Sequence, residues 1–379
     1  MEETETELTA THLGFADRLL EVIDSGRRTA TYKLALLLAL IDLCSRHSDQ
    51  GGGAPAVLHT RDIAEQVAAI YWPQVIAYKP PGGAGAVVLS QISLPRATIV
   101  SAVRRFRELA EAAGLSSLRL ARLRLPGDYE EMVDRVEVTV ANEPLPRLQA
   151  VGTADTSFPF LYCLNWGPRE HLTLARLRAV GDRGPAVRLL AGAGDELVRL
   201  APLIRPLVEV HWTRMVAQFN NVARAEEDLH RHLFGSDRPQ PPAGLRAGVA
   251  DIQAGRCFYC RERLGRRSHA DHFIPRVRCG IDAIENLVLA DAACNGDKSD
   301  LLPGAALVSR WVARNARHAG MLAALAAENR WDTDASGTQA IARSIYRHIP
   351  AGVSPVWLGR GNVERADPAS ALAALASPW

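Results

Sequence analysis

The stretch from Cys257 to Pro303, CFYCRERLGRRSHADHFIPRVRCGIDAIENLVLADAACNGDKSDLLP, constrains this chain more than any other part of it. It holds a Cys-x-x-Cys pair, an Asp-His dipeptide, and an Asn followed nine residues later by a second Asn, with a Lys three residues beyond. Its local pattern predicts a hairpin feeding a helix. Ser268–Ile274 is the outgoing strand, Pro275–Asp282 the loop, and Asn286–Ala290 the return strand. A helix starting at Asp291 or Ala292 then puts Asn295 and Lys298 on one face, three residues apart. Asp271 and His272 are neighbours on a strand, so their side chains point to opposite faces, and the strand is expected to distort there, near Pro275.

These residue types suit phosphodiester hydrolysis. That reaction needs an activated water, a cation on the phosphate and stabilisation of the leaving oxygen. A hard divalent cation takes oxygen ligands, which Asp271 and the side-chain carbonyl of Asn295 supply. His272 is a base that can be neutral at pH 7 and can take a proton from water.

The joint pattern Cys257-Phe-Tyr-Cys260, Asp271-His272-Phe-Ile-Pro275, Asn286-Leu-Val-Leu289 and Cys294-Asn295-Gly-Asp-Lys298 resembles an HNH (ββα-metal) endonuclease module. Asp271 to Pro303 is also similar to the HNH domain of RNA-guided CRISPR nucleases. The resemblance implies that Asn286 is a brace for the hairpin and for His272, not a metal ligand. The third family position is often His. Here it is Asn295, an oxygen donor, which favours Mg²⁺ or Mn²⁺. Cleavage to 5′-phosphate and 3′-hydroxyl ends is implied as well.

Members of the family commonly carry Cys-x-x-Cys in both halves of a zinc knuckle. Here the second half reads Asp291-Ala-Ala-Cys294. Cys257, Cys260 and Cys294 are expected ligands of a structural Zn²⁺, with Asp291 as the fourth and His269 or Cys279 as substitutes. Lys298 carries a separate argument. Among 44 Lys and Arg residues only Lys33, Lys79 and Lys298 are lysines, so a retained lysine beside the site suggests a compact charge for a phosphate oxygen. Chance retention explains a lysine there equally well. Arg266, Arg267, Arg276 and Arg278 flank the Asp-His pair and form a candidate DNA-phosphate patch.

The remainder is expected to be mainly α with small β elements. A winged-helix-like or α+β N-terminal domain spans 1–150, a helical connector 151–240, the HNH module 245–304 and a helical segment 305–379. Thr31–Arg46 is a buried core helix; Thr60–Trp72 and a segment ending near Ala113 are further helices. Ser117–Leu125 and Arg135–Val140 alternate like two strands joined at Pro126–Gly127, which would complete a winged helix; an ordinary α+β domain is the plainer alternative. Asp195–Ala201 and Leu207–Ala223 are expected as separate helices. Gly235–Gly244 is the clearest linker.

The net charge of +2 excludes a uniformly basic DNA-coating protein, so any DNA footprint is local. Four of the six cysteines fall in the HNH stretch, which reads as metal binding in a reducing cytoplasm, and no apolar run is long enough to span a membrane. The expected activity is metal-dependent DNA cleavage in a restriction or anti-phage defence setting, restrained by a ligand or partner protein at the N-terminal region. One HNH centre cuts one strand, so double-strand breaks call for a homodimer or two visits. A non-catalytic zinc module that binds nucleic acid or a partner is the alternative.

Overall fold

The computed structural model describes residues 14–24, 30–80, 85–93, 98–150, 159–222, 226–235, 241–265 and 268–379. The chain divides into two compact units, Met1–Leu43 with Pro55–Arg238, and Cys44–Ala54 with Pro239–Trp379. Helices dominate both, and the sheets are small.

In the first unit the Tyr32–Arg46 helix is apolar on every side, and Leu34 through Ile41 are all buried, as a core helix requires. Tyr71, from the Thr60–Gln74 helix, packs between Tyr32 and Trp212. A three-stranded antiparallel sheet places Ala186–Leu189 between Val57–His59 and Tyr162–Cys163.

The N-terminal hairpin expected at Ser117–Leu125 and Arg135–Val140 is not formed. Leu118–Arg124 and Pro126–Asn142 are helices, and Pro126 occupies the first turn of the second one, where its missing N–H costs nothing. Tyr129, Met132, Val133, Val136 and Val140 form that helix's buried face at a spacing of three and four. The unit is therefore α+β without a wing. Asp195–Ala201 and Leu207–Ala223 merge into one helix, Ala193–Phe219, that runs through Pro202 and Pro206.

A buried ionic network ties the Thr60–Gln74, Pro126–Asn142 and Leu174–Arg178 helices together. Arg178 donates to Asp134 and Glu137 at 2.7 Å each, and Thr60 Oγ1 donates to Glu137 Oε1 at 2.6 Å. Arg61 pairs with Asp134, Glu137 and Glu130. Glu137 is fully buried. Gly184 lies against this cluster with φ +69°, and a Cβ there would come within 2.2 Å of Thr60 Oγ1.

In the second unit the Ser268–His272 and Leu287–Asp291 strands pair antiparallel and lead directly into the Ala292–Lys298 helix. Behind them, Phe273 stacks on Trp311 of the Ala305–Glu328 helix with centroids 4.5 Å apart. That helix bends at His318, whose backbone is non-helical. The region beyond residue 305, expected to be helical, also contributes the Pro355–Gly359 and Asn362–Arg365 hairpin, whose first strand pairs in parallel with Leu302–Pro303. Residues 44–54 belong to this unit, where Ser48 Oγ donates to the Ala340 carbonyl at 2.8 Å.

Candidate HNH active site and cysteine knuckle

The hairpin ladder is regular to its end, with Asp271 opposite Val288 and His272 opposite Leu287, so the expected strand distortion is absent. The two side chains instead use the two faces of the strand, each with its own partners.

On one face, Asp271 is held on both carboxylate oxygens. Tyr259 Oη donates to Oδ2 at 2.5 Å, and Lys298 Nζ lies 3.1 Å from Oδ2 and 3.4 Å from Oδ1. Lys298 also donates to the His272 carbonyl at 2.9 Å. Its side chain is 1% exposed, and burial lowers its ammonium pKa, partly offset by Asp271. The phosphate role expected for Lys298 does not fit this placement, because the ammonium is consumed inside the module. Burial, followed by the Asp271 charge, raises the Tyr259 phenol well above its usual range, so it stays a donor.

On the other face, His272 Nε2 lies 2.9 Å from Asp282 Oδ1. Arg276 Nε approaches the same oxygen at 3.4 Å. Asp282, at the end of the hairpin loop, is a site residue that the sequence reading counted only as loop. In the neutral ring, a carboxylate beside Nε2 favours the tautomer with the proton on that nitrogen and the lone pair on Nδ1.

Asn286 is buried in the turn before the second strand, and among the described residues its side chain bonds to backbone. Its Oδ1 accepts from Ile274 N at 2.8 Å, and its Nδ2 donates to Ile274 O at 3.0 Å and Ile281 O at 3.4 Å. It closes the hairpin loop. Asn295 sits half-buried on the helix that packs against the Asp271 strand, and among the described residues its side-chain amide takes no hydrogen bond. Two oxygen donors on adjoining elements fit a hard cation in kind.

Of the arginines expected to face DNA, Arg266 and Arg267 lie outside the described residues. Arg276 is half-buried at Asp282. Arg278 is turned inward; burial lowers its guanidinium, and its Nε has no partner among the described residues.

The structure brings the four knuckle residues together. One ligand atom from each of Cys257, Cys260, Asp291 and Cys294 lies within 4.8 Å of the others. Ligands of one zinc ion sit about 2.0–2.3 Å from it, so this spread needs only slight contraction. Asp291 caps the Ala292–Lys298 helix, with Oδ1 accepting from Cys294 N at 2.9 Å while Oδ2 faces Cys260 Sγ at 3.1 Å. His269 is exposed and Cys279 faces the Pro275 carbonyl; among the described residues neither belongs to this cluster.

Arg360, in the turn of the C-terminal hairpin, was not foreseen. Its Nε lies 3.3 Å from Cys294 Sγ, and its terminal nitrogen lies 2.9 Å from Asp291 Oδ1 and 3.8 Å from Cys260 Sγ. Asp297 anchors that turn, accepting from Trp357 Nε1 at 2.7 Å and Gly361 N at 2.8 Å. Among the described residues, no helix is long and apolar enough to cross a membrane.

The family model described as HNH endonuclease matches residues 257–301, which contain all of the hairpin, helix and knuckle residues above except Arg360. A second model, described as Domain of unknown function (DUF8808), matches residues 12–233, more than half of the 379-residue chain. No curated protein and no solved structure matches. The chain belongs to the DUF8808 family of unknown function and carries, after that domain, an HNH endonuclease domain.

Proposed function

We propose that this protein is an endonuclease that hydrolyses DNA phosphodiester bonds, with His272 as general base and Asp271 and Asn295 as ligands of one Mg²⁺ or Mn²⁺ ion. The observation that carries the reading is the carboxylate of Asp282 at 2.9 Å from His272 Nε2, because it leaves Nδ1 as the base and supports the imidazolium once a proton arrives. The tautomer is assigned from that partner. The cation, when bound, supplies Lewis-acid stabilisation of the phosphate and of the leaving 3′ oxygen.

The chain's own residues do the rest. His272 takes the proton of the attacking water, and Asp282 keeps the ring oriented. Tyr259 and Lys298 fix Asp271 from behind, and Lys298 ties the His272 backbone to the same point. Asn286 keeps the loop that carries Asp282 closed against the strand. Arg276, with Arg266 and Arg267, supplies positive charge for DNA phosphates. Cys257, Cys260, Asp291 and Cys294 hold a structural Zn²⁺, a set of three thiolates and a carboxylate that suits zinc.

The biological setting is restriction or anti-phage defence, in line with the resemblance to HNH proteins that carry large additional domains. In this reading the 12–233 domain keeps the basal nicking rate low, and a ligand or partner protein that binds it raises that rate. Cutting both strands calls for two copies or two visits.

One observation favours a second reading, a zinc module that binds nucleic acid without cutting. Asp271 is already engaged by Tyr259 and Lys298, as it would be if it had a purely structural role. Supercoiled plasmid incubated with the full chain and Mg²⁺ or Mn²⁺ separates the two. The nuclease reading expects nicked circles with 5′-phosphate ends, lost on chelation. Plasmid that is shifted in a gel but never cut, by protein that holds zinc, would favour the binding module.

A further inference from the structure

Tyr259 belongs to two sites at once. By sequence it lies inside the Cys257–Cys260 pair, so its backbone is part of the knuckle. By side chain it belongs to the hairpin, with its hydroxyl on Asp271 Oδ2 at 2.5 Å. It is 5% exposed, and its ring is fixed edge-on against Trp357 at 4.9 Å and Phe258 at 5.3 Å. Lys298 Nζ lies 6.0 Å from the ring centroid. A buried phenol whose hydroxyl has one acceptor keeps that acceptor in one orientation, because losing the bond leaves both groups desolvated and unpaired.

The backbone of the knuckle is tied to the elements around it, and one further contact reaches a thiol. Cys257 N donates to Glu262 O at 2.8 Å, Phe258 N to Leu289 O at 2.9 Å, and Arg310 to the carbonyls of Phe258 and Tyr259 at 3.0 and 2.8 Å. Asp291 N approaches Cys257 Sγ at 3.4 Å. An ion shared by the thiols and Asp291 would lock the short loop between Cys257 and Cys260, and Tyr259 rides on that loop.

We propose that Tyr259 is a positioning residue through which the zinc knuckle sets the affinity of the catalytic cation site at Asp271. This rests on the two metal assignments made above and adds a coupling between them. The zinc would then contribute to cation binding as well as to folding. Since coupling between two binding events is reciprocal, cation bound at Asp271 would tighten zinc by the same factor.

The test is Mn²⁺ binding to the full chain without DNA, followed by the electron paramagnetic resonance signal of free Mn²⁺, with zinc content measured by mass spectrometry. Wild type and Tyr259→Phe are compared, each zinc-loaded and after zinc removal. Phe keeps the ring and its packing, so zinc content and far-ultraviolet circular dichroism should match wild type. The proposal expects zinc-loaded Tyr259→Phe to bind Mn²⁺ about 10-fold more weakly than zinc-loaded wild type. Zinc removal should weaken wild type by a similar factor and Tyr259→Phe by much less. If stripping unfolds the unit, the reciprocal arm decides: competition with a chelator should show saturating Mn²⁺ tightening zinc about 10-fold in wild type and by much less in Tyr259→Phe, and equal tightening in the two would overturn the coupling. Wild-type Mn²⁺ affinity in a zinc-loaded Tyr259→Phe protein would overturn the coupling and leave the metal assignments standing. A wild type that takes up no zinc would overturn the zinc assignment and the coupling with it.

Discussion

Asp282 Oδ1 lies 2.9 Å from His272 Nε2, across the mouth of the hairpin loop. The pair gives the imidazole one tautomer and one orientation, which a histidine at the end of a strand would otherwise lack. Asp282→Asn keeps the shape and removes the charge that supports a protonated ring. Its nicking rate should fall on the order of 10- to 100-fold, as for carboxylates that orient functional histidines elsewhere. Zinc content and thermal stability should be close to wild type.

Lys298 makes an opposite pair of predictions to those of a phosphate-binding lysine. Lys298→Met leaves Asp271 without its buried ammonium, so the unit should lose about 3 kcal/mol in urea denaturation. The salt dependence of DNA binding, measured without divalent cation, should not change. Arg276→Ala should instead lower the slope of log K against log salt by about 0.9, the value for one lost phosphate contact.

Arg360 is the cation facing the thiols of Cys294 and Cys260 and the carboxylate of Asp291. Three thiolates and a carboxylate around Zn²⁺ leave excess negative charge, and a guanidinium beside them stabilises the set. Arg360→Ala should weaken zinc on the order of 10-fold, read as competition with a chromophoric chelator. Arg360→Lys should recover part of the loss.

Glu137 in the first unit is fully buried between Arg61, Arg178 and Thr60. Glu137→Ala takes one carboxylate from each of Arg61 and Arg178, which keep Asp134, and leaves the Thr60 hydroxyl without its acceptor. Equilibrium unfolding of that unit should show a loss of about 3–5 kcal/mol.

The hairpin and helix of the HNH domain were legible because their signals are local. Asp271, His272 and Asn295 lie within one short segment whose alternation, loop and helix start follow in order, and Asp291 caps the helix where the pattern placed its start. Asp282 was missed because a carboxylate in a loop carries no signal until the loop folds back on the strand. Arg360 was missed because it lies 66 residues beyond Cys294, in a hairpin that the Ala-rich helices around it obscured. Ser117–Leu125 and Arg135–Val140, which fall on the two helices Leu118–Arg124 and Pro126–Asn142, were misread as strands through a ranking of signals. Apolar and charged residues alternate in Leu118-Arg-Leu-Ala-Arg-Leu-Arg124, but Pro126 and the three-to-four spacing of Met132, Val133, Val136 and Val140 specify helix. The burial of Lys298 was beyond the sequence altogether, since its composition argument could not tell an inward ammonium from an outward one.

The most direct test of the central claim is the rate of supercoiled plasmid nicking by wild type and by His272→Ala, at equal protein and saturating Mg²⁺ or Mn²⁺. The account predicts that wild type nicks and that His272→Ala is slower by about 10²- to 10⁴-fold, with zinc content unchanged. Equal cleavage by the two proteins, lost in neither on mutation of the base, would contradict it.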